Sequence, residues 1–119
     1  MTDIENRTAE YAIRAVTLFR CLQQKRDGVG LIFGKQYLRS ATSIGANMTE
    51  AQSGESRADF IHKCSIAQKE AKESRYWLKL MLRAELFPPK RLAPLLQETE
   101  EIVAIITAII ISAKKNIPK

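Results

Sequence analysis

The residue pair that comes closest to a chemical motif is Asp59 and His62, which lie three positions apart on a predicted helix. A carboxylate and a histidine at this spacing form half of the metal-binding set of a di-iron helical bundle, which requires two such pairs and further carboxylates. His62 is the only histidine of the chain, so the second pair is missing. Cys21 and Cys64 are too few and too far apart for a zinc site. We therefore expect neither a metal nor another cofactor, and we interpret His62 as a surface residue.

Reactive groups for catalysis are also lacking in the sequence. It contains no Gly-rich phosphate loop and no nucleophile motif. Glu50, Glu70 and Glu73 are predicted to face outward on their helices, so no pair of carboxylates is forced into the core. Because an active site needs a convergent set of reactive groups, we expect a protein that is not an enzyme.

The most informative charge pattern lies on the third predicted helix. At about 100° per residue, five basic residues fall within one arc of roughly 120°, and Tyr76 lies in the same arc. A basic line with an interleaved tyrosine fits contact with a nucleic-acid phosphate backbone. A solvated flank with no binding role is the alternative, and the sequence leaves both open. The candidate nucleic-acid-binding residues are Lys69, Lys72, Arg75, Lys79 and Arg83.

An apolar run near the C-terminus predicts an interface between subunits. From Ile102 to Ala113 the sequence IVAIITAIIISA is apolar almost all round a helix. A surface helix of a monomer would not expose so much isoleucine. The run is shorter than the roughly 20 residues of a spanning helix, so we expect no membrane partner; an interfacial membrane helix is disfavoured because such helices keep a charged face. The candidate interface residues are Ile105, Ile109, Ile111 and Trp77.

Four helices with short connections position these residues. The apolar periodicity, with the Gly and Pro clusters between the periodic segments, predicts helices at about Asp3–Arg26, Leu31–Gln52, Arg57–Leu86 and Lys90–Asn116. Gly28 and Gly30 are expected to provide a left-handed cap for the first helix, and Ser56 to open the third. The basic tail, Lys114 to Lys119, suits the negative end of the helix dipole. The prediction is an all-α, antiparallel up-down-up-down four-helix bundle forming one domain over residues 1–119.

The second predicted helix has an apolar seam at helical spacing, and small residues cluster around Gly45. Glycine inside a helix costs roughly 1 kcal/mol relative to alanine, and this cost is most often tolerated where another helix approaches closely. A weak point or a kink is the alternative. A polar line runs along the face opposite the apolar seam and could contact a partner, face a channel or simply be solvated. It consists of Arg39, Ser43, Asn47 and Glu50.

Composition restricts the class of protein further. The chain has 119 residues, 45% of them hydrophobic, and a net charge of +6. The charge permits binding to nucleic acid or to an acidic surface without requiring it. The first residues are polar and partly acidic, which is not the pattern of a signal peptide. Free buried thiols are favoured over a disulfide, and we expect a cytoplasmic protein.

The segment from Arg39 to Leu82 resembles a bacterial family of four-helix-bundle proteins encoded by intervening sequences in 23S rRNA genes. The resemblance is most specific at SIGAN, beginning at Ser43, with Glu50, and in the stretch from Glu70 to Leu78. The family is similar to the accessory variability protein of diversity-generating retroelements, which works beside a reverse transcriptase and its RNA. The resemblance implies an antiparallel bundle, a ring-like homopentamer and no catalysis.

Two hypotheses about function follow. The first is a nucleic-acid-associated oligomer, in which five copies would carry about +30 and attract RNA or DNA. The second is a protein-interaction scaffold or an accessory subunit, for example of a reverse transcriptase, without nucleic-acid binding of its own. In the second case the Trp77 flank and the polar line of the second helix would dock a protein partner.

Overall fold

The fold is an antiparallel bundle of four long helices, which confirms the predicted all-α architecture. The computed structural model describes residues 1–115, and within that range the chain forms no strand. The predicted end of the last helix at Asn116 and the tail to Lys119 lie outside the described residues. The helices are α1 (Asp3–Lys25), α2 (Gly28–Gln52), α3 (Arg57–Arg83) and α4 (Pro89–Lys115).

Hydrogen-bonded caps define the beginnings of α1 and α3. The Thr2 hydroxyl accepts a hydrogen bond from the Glu5 amide at 3.2 Å, and the Glu5 carboxylate accepts one from the Thr2 amide at 2.8 Å. This reciprocal capping box was not predicted. The Ser56 hydroxyl accepts a hydrogen bond from the Asp59 amide at 3.1 Å. Ser56 therefore opens α3 as its sequence position predicted.

The turn between α1 and α2 is tighter than predicted. Arg26, with φ of 55°, takes the left-handed position that we expected of glycine. Asp27 follows at once as the N-cap of α2, and its carboxylate accepts hydrogen bonds from the amides of Val29 and Gly30 at 3.0 and 3.1 Å. The predicted glycine cap is therefore wrong. Because Asp27 caps the next helix immediately, α2 begins at Gly28 instead of Leu31.

The third helix ends before the predicted residue Leu86. Glu85 has φ of 58°, which places it in the left-handed region and stops the helical path after Arg83. Pro89 is the first residue of α4, a position where the missing amide of proline costs nothing. The α3–α4 loop is consequently longer than the turn between α1 and α2.

The bundle is an elongated body of 53 × 20 × 20 Å, in which each helix packs against its neighbours in sequence. Close backbone approaches are fewest between α1 and α4, so this seam is the most open of the four. The predicted apolar seams of the helices form the core. Its fully buried large members include Leu18, Leu22, Ile44, Met48, Leu78, Met81, Leu92, Ile102 and Ile106.

Gly45 lies where α1 and α2 approach each other closely, as its place in the sequence predicted. A β-carbon built on Gly45 would lie 3.1 Å from the Thr8 hydroxyl oxygen and 3.4 Å from the Thr8 β-carbon. Thr8 is fully buried. The absence of a side chain at Gly45 is therefore what permits the two backbones to approach at this level of the bundle.

Buried hydroxyl groups cross the centre of the bundle. The Tyr37 hydroxyl donates to that of Tyr11 at 2.9 Å, and Tyr11 shares a hydrogen bond of 2.6 Å with Thr99. Ser40 and Ser74 are joined at 2.8 Å. These five residues come from all four helices. Burial raises the pKa of both tyrosines, and that of Tyr37 by the larger amount.

Charged side chains form ion pairs across the open seam between α1 and α4. The Arg7 guanidinium donates two hydrogen bonds to Glu98, at 2.8 and 2.7 Å, and one to Glu101 at 2.8 Å. The hydrogen bond from Arg7 lowers the pKa of Glu101. Paired guanidinium and carboxylate groups of this geometry orient two helices more strictly than a single contact would.

Candidate nucleic-acid interface

The five predicted nucleic-acid-binding residues lie along the outward side of α3, and Arg75 among them contacts α4. Lys69, Lys72, Lys79 and Arg83 are exposed. Arg75 is half-buried, and its guanidinium donates a hydrogen bond of 3.0 Å to Glu100 of α4. Four of the five cations are therefore directed to solvent, whereas Arg75 also ties α3 to α4.

Tyr76 provides an exposed aromatic surface within this basic line. Its side chain is 57% exposed. Its ring meets the ring of Trp77 edge to face, with centroids 5.2 Å apart. An aromatic ring beside phosphate-binding cations can stack on an unpaired base. The line therefore has the groups for both kinds of contact made to single-stranded RNA: cations for the phosphates and an aromatic ring for base stacking.

The other flank of α3 is not free, contrary to the prediction that Glu70 and Glu73 face outward. Arg39 of α2 bonds to Glu70 at 3.2 Å and also pairs with Glu73. The Glu70 side chain is only 12% exposed. The helical wheel of α3 could not reveal these ion pairs, because the guanidinium that attracts both carboxylates belongs to α2.

Trp77 lies on this second flank, between α2 and α3. Its indole nitrogen donates to the Glu73 carboxylate at 3.2 Å. Its ring packs against Phe33 of α2, with centroids 6.0 Å apart. Trp77 is half-buried, so most of its surface already contacts its own chain.

The predicted polar line of α2 is occupied largely by bonds within the chain. The Ser43 hydroxyl donates to the Arg39 carbonyl at 2.7 Å, and the Asn47 amide donates to the Ser43 carbonyl at 2.8 Å. Glu50 accepts a hydrogen bond from Lys63 of α3 at 2.7 Å. These contacts place the line at the edge between α2 and α3, where Arg39 and Glu50 join the two helices.

The predicted interface residues do not form one patch. Ile105 and Ile109 are half-buried and line a shallow groove of about 500 Å³ between α4 and the first turns of α3, with Phe60 opposite them. Ile111 is 52% exposed. Trp77 belongs instead to the α2 side of α3. The isoleucines of α4 and Trp77 are therefore separate surfaces.

The groups that could have suggested metal or thiol chemistry are dispersed. His62 is exposed, and Cys21 and Cys64 are both free thiols. Burial raises the pKa of the Cys64 thiol. Among residues 1–115, no three His, Cys, Asp or Glu side chains are grouped so that they could hold a metal ion. No helix in the same range combines the length and apolarity of a membrane span.

Comparisons with known proteins are consistent with this architecture. A family model described as 23S rRNA-intervening sequence protein matches residues 3–108. A crystal structure of a protein of unknown function from the S23 ribosomal protein family of Bacteroides thetaiotaomicron is 39% identical in sequence, with a TM-score of 0.83. The similarity covers 90% of this chain and 97% of that one. No curated protein matches the chain. The chain belongs to the 23S rRNA-intervening sequence protein family.

Proposed function

We propose that this protein is a non-catalytic, homo-oligomeric helical protein of the bacterial cytoplasm that associates with RNA through the basic flank of α3. The observation that carries the proposal is the row of exposed cations Lys69, Lys72, Lys79 and Arg83. No carboxylate oxygen of residues 1–115 lies within 4.0 Å of their charged groups. These cations are therefore available to an external anion.

The length and chemistry of the row suit a phosphate backbone. At 1.5 Å per residue, the helix from Lys69 to Arg83 spans about 21 Å, which is enough to meet several successive phosphates. Lysine contributes a mobile point charge without planar geometry for reading a base edge. Phosphate contacts of this kind position a protein and carry no sequence information. The proposed binding is therefore governed by RNA structure and salt, with Tyr76 adding stacking where a base is unpaired.

Salt-dependent affinity tests this proposal. The variant Lys69→Gln, Lys72→Gln, Lys79→Gln should bind a fluorescent structured RNA more weakly, with the slope of log affinity against log salt reduced by about 2 to 3. Arg75 is left intact, because its bond to Glu100 supports the bundle. Fluorescence anisotropy at several salt concentrations measures both quantities.

A matched control removes the same charge from the other end of the bundle. The variant Arg57→Gln, Lys114→Gln, Lys115→Gln changes three exposed cations away from the α3 row. It should keep most of the affinity and the slope. If the wild-type protein binds no RNA even at low salt, or if both variants lose affinity equally, the proposed RNA-binding surface is wrong.

Self-association through α4 is the second part of the proposal. It is supported by two apolar features on different sides of α4: Ile111, which is 52% exposed, and the groove that Ile105 and Ile109 line. Ile111→Lys should give smaller species in light scattering, since a charge would then have to be buried. Ile13→Lys is the control, because Ile13 is 66% exposed on α1, away from this surface. A monomeric wild type, or an Ile111→Lys protein of unchanged mass, would contradict self-association through α4.

A further inference from the structure

Positive charge is concentrated in one half of the bundle. The half that contains the α1–α2 turn and the α3–α4 loop comprises residues 14–39 and 72–100. It carries twelve Lys and Arg residues against five Asp and Glu, a net charge of +7. The opposite half, among residues 1–115, carries six against eight, a net charge of −2. The molecule is therefore strongly polar along its 53 Å axis.

Cations from three helices lie in the positive half of the bundle. Lys79 and Arg83 are on the last turns of α3, Arg20 and Arg26 are at the end of α1, and Lys90 is on the first turn of α4. They are far apart in the sequence, so no helical wheel could group them. All five are exposed. We refer to Arg20, Arg26, Arg83 and Lys90 as the basic end.

The acidic groups nearby do not neutralise the basic end. The Asp27 carboxylate already accepts hydrogen bonds from two backbone amides of α2. Within residues 1–115, no carboxylate oxygen lies within 4.0 Å of the charged groups of the basic end. Its charges therefore act together on the surrounding solvent.

Contacts between α1 and the α3–α4 loop make the basic end a fixed surface. Lys25 donates to the Leu86 carbonyl at 3.1 Å, and its ammonium group lies 4.1 Å from the centre of the Phe87 ring. The loop and Lys25 border an open cleft of about 740 Å³ with an apolar floor that includes Leu86 and Pro88. Lys25 and Arg83 border this cleft together with one carboxylate residue, Glu85. Because a cleft with an excess of positive charge focuses the electric field, this end can attract a polyanion.

We propose that the phosphate backbone of a bound RNA continues from the α3 row around the basic end and contacts Arg20, Arg26 and Lys90. This inference rests on the proposed function and extends it, since these cations lie on helices other than α3. The path would run along α3, cross the end of the bundle and reach the outer side of α1, where Arg20 is exposed. RNA that reaches only α3 would leave three of the seven proposed phosphate ligands unused.

The test compares three variants that each lose three exposed cations. Arg20→Gln, Arg26→Gln, Lys90→Gln changes the basic end. Its partners are the α3 variant and the opposite-end control described above. Anisotropy with a structured RNA at several salt concentrations gives affinity and salt slope, and circular dichroism checks that each variant is helical. We expect the basic-end variant to bind at least about tenfold more weakly and to lose about 2 to 3 from the slope.

The outcomes separate the inference from the proposed function. If wild-type protein binds no RNA, both are overturned. If the α3 variant loses affinity while the basic-end variant matches the opposite-end control, only the inference is overturned. Equal losses of affinity in the basic-end variant and the opposite-end control would mean that binding depends on net charge alone, and this result would also overturn the inference. A loss specific to the basic end supports the continuous path.

Discussion

The substitution Gly45→Ala tests the close approach of α1 and α2. In an unobstructed helix the change should stabilise the protein by about 1 kcal/mol, because alanine has the higher helix propensity. Here the added β-carbon would lie 3.1 Å from the Thr8 hydroxyl oxygen. Thr8 cannot move aside easily, since it is fully buried and its hydroxyl donates to the Ile4 and Glu5 carbonyls. Overpacking of this kind costs about 1–3 kcal/mol, so we expect a net loss of about 1 kcal/mol.

A double-mutant cycle isolates the steric contribution. Thr8→Ala removes the hydroxyl that the new methyl group would meet. In the Thr8→Ala background, Gly45→Ala should therefore raise the unfolding free energy by about 1 kcal/mol through helix propensity alone. The two backgrounds differ by about 2 kcal/mol, which is within the range found for residues in direct contact.

Urea denaturation followed by far-UV circular dichroism measures these changes. Protein concentration must be the same throughout, because self-association would make the apparent stability depend on it. Gly28→Ala is the control, since a β-carbon at Gly28 has no neighbour within 4 Å. It should be neutral or slightly stabilising. A Gly45→Ala protein that is stabilised as Gly28→Ala is, or an effect that is the same with and without the Thr8 hydroxyl, would refute a steric cost at Gly45.

Three further predictions concern ionisable groups. Burial raises the pKa of Tyr37, so above about pH 10 the unfolded state loses this proton before the folded state does. The free energy of unfolding therefore falls as the pH rises. In urea titrations, Tyr37→Phe should make that alkaline decline shallower by up to about 1.4 kcal/mol per pH unit. Arg7 lowers the pKa of Glu101, so stability should fall as the pH drops below the ordinary value of 4.5, and Arg7→Gln should weaken this dependence. The buried Cys64 should react with a thiol reagent at least about tenfold more slowly than Cys21.

Each of these predictions has its own counter-result. Tyr76→Phe, at an exposed tyrosine, should leave the alkaline slope unchanged, and an equal effect of both tyrosine variants would contradict the argument from burial. An Arg7→Gln protein with the acid dependence of the wild type would mean that the ion pair does not contribute. Equal rates at the two thiols would show that Cys64 is accessible in solution.

Local sequence patterns predicted the helices well. The apolar periodicity identified all four, and the buried residues of α1 recur at the helical spacing that such periodicity requires, for example Tyr11, Ala15 and Leu18. Helix ends were less accurate. They depend on single residues, such as Arg26 in the left-handed region and Asp27 as an N-cap, and apolar periodicity contains no information about them.

The side-chain pairs that connect helices were not visible in the sequence. Arg7 and Glu98 are 91 positions apart, and Arg39 and Glu70 are 31 apart. A helical wheel shows only which side of one helix a residue occupies. It could group the basic row of α3, but it could not show that Arg75 is paired with α4. The sequence therefore predicted which side of α3 carries the candidate site. Only the structure could show which of its cations are paired with carboxylates and which are not.

The open seam between α1 and α4 affects the order in which the helices associate during folding and separate during partial unfolding. The other three seams join helices that follow one another in sequence, so they can form with short loop closures. The fourth joins the first and last helices of the chain, and its bonds include those from Arg7 to Glu98 and between Tyr11 and Thr99. It should be the last seam to form and the first to separate in partial unfolding. Amide hydrogen exchange would then be slowest in the α2–α3 hairpin, from which α1 and α4 would separate first.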